Sequence, residues 1–247
     1  MNYKQVYYPE TKLGGFSNVD GTIAFYNRVN ALITPASVVL DIGCGRGAYG
    51  DDPVPFRRQL RILKGKCQKV IGIDVAPVGK DNPFIDEFRL IEKGSWPVEG
   101  QSADLCLADN VLEHISDPDQ FFSECFRILH PGGKVCIRTP NVMSYFGIVS
   151  RLVPNPQHTA VLQKAKDRVN EQDVFPTLYL CNTLSKVRKT LARHGFEPCV
   201  YGFDAEPSYL SFGRFFYFLG VLHQRFAPGF LKVGIHAFGV KGLTISK

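Results

Sequence analysis

The residues with the clearest chemical potential stand at the end of one apolar run. The run Val38–Ile42 contains a single acid, Asp41, and is followed by alternate glycines at Gly43, Gly45 and Gly47. A short apolar run of this kind is typical of a buried parallel strand, whose carboxyl end is where open α/β sheets bind ligands. The glycines predict a sharp turn at which the backbone approaches a ligand, with a helix following. The alternative is an ordinary tight turn.

The spacing of these glycines separates several nucleotide-binding folds. The dehydrogenase fingerprint is G-x-G-x-x-G, whereas this chain has an acid two residues before G-x-G-x-G. No Gly-Lys-Ser/Thr follows, which excludes a P-loop. The motif D-x-G-x-G-x-G resembles the first motif of class I S-adenosylmethionine (SAM) methyltransferases. This resemblance implies that glycine backbone lies against the methionine end of SAM, and that the acid receives its ammonium directly or through water.

Three later segments continue the resemblance in the same order. Lys69–Asp74 is a second apolar run ending in an acid, which can accept both ribose hydroxyls, although it can also cap the following turn. The segment 104–115 resembles the family's fourth motif, and "LHPGGKVCIRTPN" at 129–141 resembles its LKPGG turn and the strand after it. We therefore interpret residues 38–141 as a cofactor-binding core in which strands and helices alternate.

The resemblance also implies which residues form the site. Trp96 either walls the adenine pocket or anchors the core, the commoner role of a lone tryptophan. We expect SAM contacts from Asp41, Gly43, Cys44, Gly45, Gly47, Asp74, Val75, Ser95, Trp96, Asp109, Asn110 and His114.

Catalysis on an oxygen acceptor needs a base, because a hydroxyl is a poor nucleophile. His114 and Asp109 follow the fourth strand, near the expected methyl position, and His114 has a suitable unperturbed pKa. In the family, the Glu-His pair at this place is often structural instead. His158 is a weaker second candidate. No CxxC pair or Cys/His cluster has zinc spacing, so no metal site is expected.

The predicted fold is α/β: a Rossmann-like, doubly wound seven-stranded sheet, mostly parallel with an antiparallel last strand, plus inserted helical cap elements. We predict a single domain over 1–247, with a helical lead-in (1–37), a SAM-binding core (38–140) and inserted acceptor or cap segments (141–182 and 204–232). The lead-in helix, at 19–33, is expected to pack against the sheet edge rather than to cover the cofactor. Other predicted helices are 56–63 and 182–193, and the later strands are 88–91, 103–109, 134–139, 196–203 and 233–245.

Composition limits the cellular setting and the partners. The chain has 247 residues, 45% of them hydrophobic, and an odd number of cysteines, seven, without regular spacing. Its polar start does not resemble a secretion signal, so a cytoplasmic location is expected. Residues 1–150 contain 16 basic and 17 acidic residues, against 13 and 6 in residues 151–247. This asymmetry indicates an anionic acceptor, an anionic membrane surface or a solvated basic face.

The segment 208–227 is dense in aromatic residues and leaves three interpretations open. Its most apolar run, 215–222, is far shorter than the ~20 residues of a membrane span. It can lie at a membrane interface as a peripheral contact, line an apolar substrate pocket, or face the core or a dimer partner.

We expect a SAM-dependent methyltransferase that acts on an oxygen or nitrogen atom of a small, saccharide or lipid-linked acceptor. The alternatives are a non-catalytic SAM-fold module in a partner complex and a nicotinamide oxidoreductase. The amino-methylating enzymes of nucleic acids have N/D-P-P-Y/F after the fourth strand, where this chain has Asp109-Asn110-Val111-Leu112, so no nucleic acid is expected. The segment 175–196 more loosely resembles a later segment of the bacterial type 11 methyltransferases, and this resemblance does not name an acceptor.

Overall fold

A seven-stranded sheet organises the chain, in the computed structural model that describes residues 3–92, 94–145, 147 and 176–242. Its strands are β1 (Val38–Ile42), β2 (Lys69–Asp74), β3 (Glu87–Leu90), β4 (Ala103–Asp109), β5 (Leu129–Pro140), β6 (Phe196–Phe203) and β7 (Gly234–Lys241). The helices that bear on the site are α1 (Tyr3–Tyr7), α2 (Gly21–Leu32), α3 (Pro55–Arg61), α4 (Pro118–Ile128), α5 (Leu184–Arg193) and α6 (Arg214–Phe226).

The strand order is β3-β2-β1-β4-β5-β7-β6. The first five strands in this order are parallel, and β7 is antiparallel to both β5 and β6. The predicted fold, including the antiparallel last strand, is therefore confirmed. The strand order reverses direction between β1 and β4, and the carboxyl ends of strands at such a switch point form the ligand crevice of open α/β sheets.

The two faces of the sheet bury separate apolar layers because successive strand side chains point to opposite sides. In β1, Val39 contributes to the layer beneath α2, whereas Leu40 contributes to the layer beneath α4 and α5. Helix α4 starts at Pro118, where the Asp117 carboxylate accepts the backbone N–H of Gln120 at 2.9 Å. Four of its residues are buried against the sheet, as its periodicity predicts: Phe121, Phe122, Cys125 and Ile128.

Helix α2 lies on a face of the sheet, so the prediction that it packs against the edge is wrong. The Phe25 ring lies 5.7 Å from that of Phe238 on β7, and Phe25 and Val29 share one core cluster with Val39 and Leu107 of the central strands. The physical reason is that side chains of several central strands, on the face that α2 covers, bury its apolar residues together.

The start of the fifth strand differs from prediction, whereas the fourth strand ends where it was predicted. Strand β5 begins at Leu129 instead of Lys134, because Leu129 already pairs with Ala103 before the register shifts. Strand β4 ends at Asp109, and the following residues form a 3₁₀ turn, Leu112–His114. Asn110 has φ +57°, a left-handed conformation that cannot continue a strand.

The predicted inserted segments are described only in part. Residues 148–175, with His158, lie outside the described residues, whereas 204–232 contains α6. Of the helices that the structure describes, none combines the length and apolar character needed to cross a bilayer.

Candidate cofactor and acceptor site

A cavity lies at the carboxyl ends of β1 and β4. Asp41, Gly43 and Cys44 form one wall, and Tyr26 of α2 and Asp109 of β4 form part of the other. The cavity therefore stands at the switch point of the sheet, where the fold concentrates strand ends and loop amides.

The three glycines of the loop differ in what surrounds them, and so in why glycine stands at each position. Gly43 has φ +67°, and a Cβ there would lie 2.7 Å from Cγ2 of Val111. Gly47 has φ +76°, and its Cβ would lie 2.6 Å from Oδ1 of Asn82. Gly45 also has positive φ, +49°, but no atom lies within 4 Å of where its Cβ would stand. Packing thus excludes a side chain at Gly43 and Gly47, whereas Gly45 borders open space into which a ligand fits.

Asp74 connects the end of β2 to this loop. Its buried carboxylate accepts the backbone N–H of Gly45 at 2.9 Å through Oδ2 and that of Ala76 at 2.9 Å through Oδ1. Each carboxylate oxygen has a second lone pair, so both can still accept a hydroxyl. Asp74 therefore has the capacity for a pair of ribose hydroxyls and also positions Gly45, and the neighbouring Val75 is exposed.

Asp109 is held by cations rather than presented to a substrate. Its carboxylate accepts two hydrogen bonds from Arg138, at 2.6 and 2.8 Å, and one from the Tyr26 hydroxyl at 2.9 Å. The Arg61 guanidinium lies 3.4 Å from Oδ2. Burial acts to raise the pKa of Asp109, but the charges of Arg138 and Arg61 outweigh it and the pKa is lowered.

This ion pair does not favour the predicted role of Asp109 as a general base, which stays a prediction. A carboxylate whose pKa is lowered by two guanidinium groups accepts a proton poorly, and its lone pairs are already occupied. Asp109 instead fixes the cavity wall by joining Tyr26 of α2 to Arg138 of β5. The next residue, Asn110, donates its side-chain amide to Asp109 at 3.1 Å.

Asp41 has the opposite electrostatic character. Burial and then the neighbouring charge of Asp109 raise its pKa to about 7, and Asp74 acts in the same direction, against the lowering effect of Arg61. A buried carboxyl with a raised pKa is a place where an incoming cation is stabilised. The cavity thus offers the Asp41 carboxyl to a cationic group of a ligand, whereas Asp74 lies beside Gly45 and outside the cavity lining.

Glu113 and His114, the Glu-His pair after β4, hold neighbouring parts of the chain in place through hydrogen bonds. The Glu113 carboxylate is buried and accepts the Thr139 hydroxyl at 2.9 Å, and the Glu113 carbonyl accepts the backbone N–H of Leu178 at 2.7 Å. His114 Nδ1 lies 3.0 Å from the Pro176 carbonyl. Since a carbonyl only accepts, Nδ1 donates there, and the neutral imidazole has its basic nitrogen at Nε2.

Ser95 and Trp96 lie apart from the cavity. They line a separate concavity with Gln120, and the Trp96 ring packs edge-on against Phe121 of α4 at 5.6 Å. Arg127 donates to the Trp96 carbonyl at 3.4 Å. This packing supports the core-anchor interpretation of Trp96 and gives no support to an adenine wall.

Sequence reasoning assigned no site role to three residues that shape the cavity: Tyr26, Arg61 and Arg138. One signal was available, because Arg138 is a cation within the apolar second half of β5 and lies directly opposite Asp109 in the parallel register. Arg61 also lies over the ring of Tyr49, 4.9 Å from its centroid, a contact without a sequence signal. Across the described ranges, no three His, Cys, Asp or Glu side chains are grouped to bind a metal ion.

Comparison with known proteins gives consistent matches. The family model described as "Methyltransferase domain" matches residues 22–204. A probable S-adenosylmethionine-dependent methyltransferase of Mycolicibacterium smegmatis is 36% identical over 134 residues, which cover 52% of this chain and 47% of that protein. The ubiquinone biosynthesis O-methyltransferase of Rhizobium etli is 29% identical over 103 residues, 42% of this chain and 41% of that enzyme.

The matches to these curated relatives span less than half of their length. Among solved structures, a SAM-dependent methyltransferase from Archaeoglobus fulgidus aligns with a TM-score of 0.57 at 15% identity, covering 94% of this chain and 97% of that one. At this level of identity, the structural match supports the fold alone.

Proposed function

The chain belongs to the SAM-dependent methyltransferase family, and from that premise we propose that it transfers the methyl group to an oxygen or nitrogen atom of a small, lipid-linked or saccharide acceptor. SAM is its cofactor. When bound, SAM would supply a methyl group on an activated sulfonium. The acceptor atom would attack that methyl carbon in line, with S-adenosylhomocysteine as the leaving group. The protein then has to bind, orient and, for a hydroxyl acceptor, remove a proton.

The observation that carries this proposal is the arrangement of the loop after β1: Asp41 and Gly43 line the cavity, and Gly45, which borders open space, donates its backbone N–H to Asp74. We assign the ammonium of the cofactor to Asp41, whose raised pKa of about 7 favours a cationic neighbour. We assign the ribose hydroxyls to Asp74, which retains two acceptor positions. Arg138 and Arg61 both pair with Asp109 and so offset its negative charge on the opposite wall.

We assign proton acceptance from a hydroxyl acceptor to Nε2 of His114. The Pro176 carbonyl orients the ring through Nδ1, as a base is oriented in other acid–base sites. An H114Q variant is expected to lose most of kcat on a hydroxyl acceptor with little change in the cofactor Kd. If His114 only anchors Pro176, H114Q will lower the free energy of unfolding and the cofactor affinity together with kcat, whereas loss of a base lowers kcat on a hydroxyl acceptor and leaves the other two unchanged.

Two features support a lipid-linked or anionic acceptor. One relative is named for ubiquinone biosynthesis, and this suggests a hydroxyl on an apolar molecule. Residues 151–247, which hold 13 basic against 6 acidic residues, supply positive charge for an anionic group.

Titration calorimetry with S-adenosylhomocysteine tests the cofactor assignment. We expect D74N to weaken binding by about tenfold, because the amide retains only one acceptor oxygen. The control is D81N, which neutralises an exposed carboxylate on the same connection and is expected to bind like the wild type. Tighter binding of NAD than of S-adenosylhomocysteine would contradict the proposal, and cofactor binding without turnover on any acceptor would favour a non-catalytic module.

A further inference from the structure

Helix α6 has two apolar faces, although only one of them packs on the protein. Its inner face is buried through Tyr217, Gly220 and Val221. The opposite face is an exposed row at i, i+4, i+7 and i+11, which we call the outer stripe: Phe215, Leu219, Leu222 and Phe226. These side chains are between 37% (Leu222) and 77% (Phe226) exposed. A surface helix normally presents polar residues on this side, so the outer stripe requires an explanation.

The outer stripe is enlarged by aromatic residues next to it. Phe212 and Phe216 are exposed, and their rings lie 4.9 Å apart at the beginning of the helix. Phe230 adds an exposed ring just beyond its end. Several large apolar side chains therefore share one surface, and grouped exposure of this kind marks a docking surface rather than scattered surface residues.

The charge around the outer stripe identifies its partner. No Asp or Glu occurs from Pro207 to Lys247, a stretch that contains five Lys and Arg residues. Successive residues of a helix are rotated by 100° about its axis. By this measure, Arg214 and Arg225 both lie roughly a quarter-turn from the centre of the outer stripe, on the same side of it. Neither forms an ion pair with a carboxylate of the described residues. An apolar stripe flanked by arginines complements an anionic phospholipid surface.

The position of α6 relates this surface to the cavity. Asn141 follows β5 at the carboxyl edge of the sheet, and its side-chain amide donates to the carbonyls of Phe230 and Lys232, both at 2.8 Å. Its backbone N–H donates to the Val233 carbonyl at 2.8 Å. The segment that follows α6 is therefore attached to the same edge of the sheet as the cavity.

We propose that the outer stripe of α6 inserts into the interfacial layer of an anionic phospholipid bilayer, with Arg214 and Arg225 at the headgroups. The stripe replaces its contact with water by contact with acyl chains, and no helix crosses the bilayer. The proposal of docking depends only on the exposed surface of α6. The further statement that docking presents the cavity edge to a lipid-linked acceptor rests on the proposed function.

Co-sedimentation of the full chain with vesicles tests the proposal. We expect binding to vesicles of equal parts phosphatidylcholine and phosphatidylglycerol, and weaker binding to pure phosphatidylcholine. The F215S/F226S variant removes the two most exposed rings of the stripe and is expected to bind about tenfold or more weakly. The R214Q/R225Q variant is expected to lose about fivefold per charge on anionic vesicles only.

The control is V240S, which removes a 40% exposed apolar side chain from β7 near the opposite edge of the sheet and is expected to bind like the wild type. Equal binding of wild type and F215S/F226S would overturn the proposal. So would light scattering that shows a dimer which F215S/F226S converts to a monomer, because the stripe would then cover a second copy. Binding of S-adenosylhomocysteine, measured on the same samples, reports on the proposed function separately.

Discussion

Gly45 differs from the other glycines of its loop because empty space, rather than a neighbouring side chain, surrounds its missing Cβ. A side chain there would leave the protein's own packing intact and occupy the volume assigned to the cofactor. A substitution at Gly45 can therefore test whether a side chain excludes the cofactor without disturbing the fold.

We predict that G45A binds S-adenosylhomocysteine at least tenfold more weakly than the wild type in titration calorimetry. The left-handed backbone at Gly45 adds a stability loss of about 1 kcal/mol for a residue with a Cβ. The matched control is G65A, since Gly65 has φ +82° and also has no atom within 4 Å of its Cβ position. G65A should lose similar stability and keep wild-type affinity; equal affinity of both variants would contradict the assignment.

Asp41 provides a pH signature of cofactor binding. Its pKa is raised from 3.8 to about 7, so the carboxyl is about half protonated at neutral pH. Since the folded-state value lies above the unfolded one, the stability that this group contributes is complete below pH ~4 and is lost as pH rises through about 7. An ammonium next to Asp41 lowers this pKa again and expels the proton.

We predict that binding of S-adenosylhomocysteine at pH 7 releases about half a proton. The measurement is the binding enthalpy in buffers with different ionisation enthalpies, whose slope gives the number of protons released. In D41N the slope should fall to near zero. Proton uptake by the wild type, or an unchanged slope in D41N, would show that the ammonium does not lie beside Asp41.

At the scale of elements, helix α2 connects the cavity wall to the sheet. Asp20 caps this helix by accepting the backbone N–H groups of Thr22 and Ile23, both at 3.0 Å. Thr22 in turn accepts a hydrogen bond from Arg138 at 2.6 Å, and Tyr26 on the same helix donates to Asp109. The start of α2 therefore supports the ion pair that lines the cavity.

We predict that D20A lowers the free energy of unfolding by about 1–2 kcal/mol and weakens S-adenosylhomocysteine binding several-fold. The control is D117A, which removes the equivalent cap of α4 and is expected to cost about 1 kcal/mol without changing affinity. Chemical denaturation and calorimetry on the same samples measure both quantities. Equal affinities of the two variants would show that α2 does not support the site.

At the scale of the whole molecule, the cavity joins parts of the chain that are distant in sequence. Asp41 lies one residue before the end of β1, whereas Asp74 ends β2 and Asp109 ends β4, and these three strands are adjacent in the sheet. A ligand that contacts all three ends stabilises the folded sheet and has no comparable site on the unfolded chain.

We predict that S-adenosylhomocysteine at about 100 times its Kd raises the free energy of unfolding by about 2.7 kcal/mol. For a chain of this size, that corresponds to an increase in Tm of roughly 5–10 °C, measured by differential scanning calorimetry. D74N at the same concentration should show a smaller shift. An increase that is equal in D74N would indicate binding elsewhere on the protein.

The parts of the site that were predictable depend on short-range patterns. An apolar run followed by an acid and alternate glycines specifies a strand, its end and its turn within ten residues, so Asp41, Gly43 and Gly45 could be placed from the sequence. Asp74 could be placed by the same local rule. The sixth strand was predicted at 196–203 and the seventh, from its alternation, at 233–245, and the structure has them at Phe196–Phe203 and Gly234–Lys241.

The sequence by itself therefore determined the α/β fold and the line of acids and glycines at the strand ends, because both follow from local periodicity. Tertiary structure alone decided that Asp109 pairs with Arg138, Arg61 and Tyr26, which are 29, 48 and 83 positions away. It also decided that Trp96 packs on α4 and that the outer stripe of α6 faces outward. These outcomes depend on strand register and on which face of a helix finds a partner, and neither is encoded in the spacing of neighbouring residues.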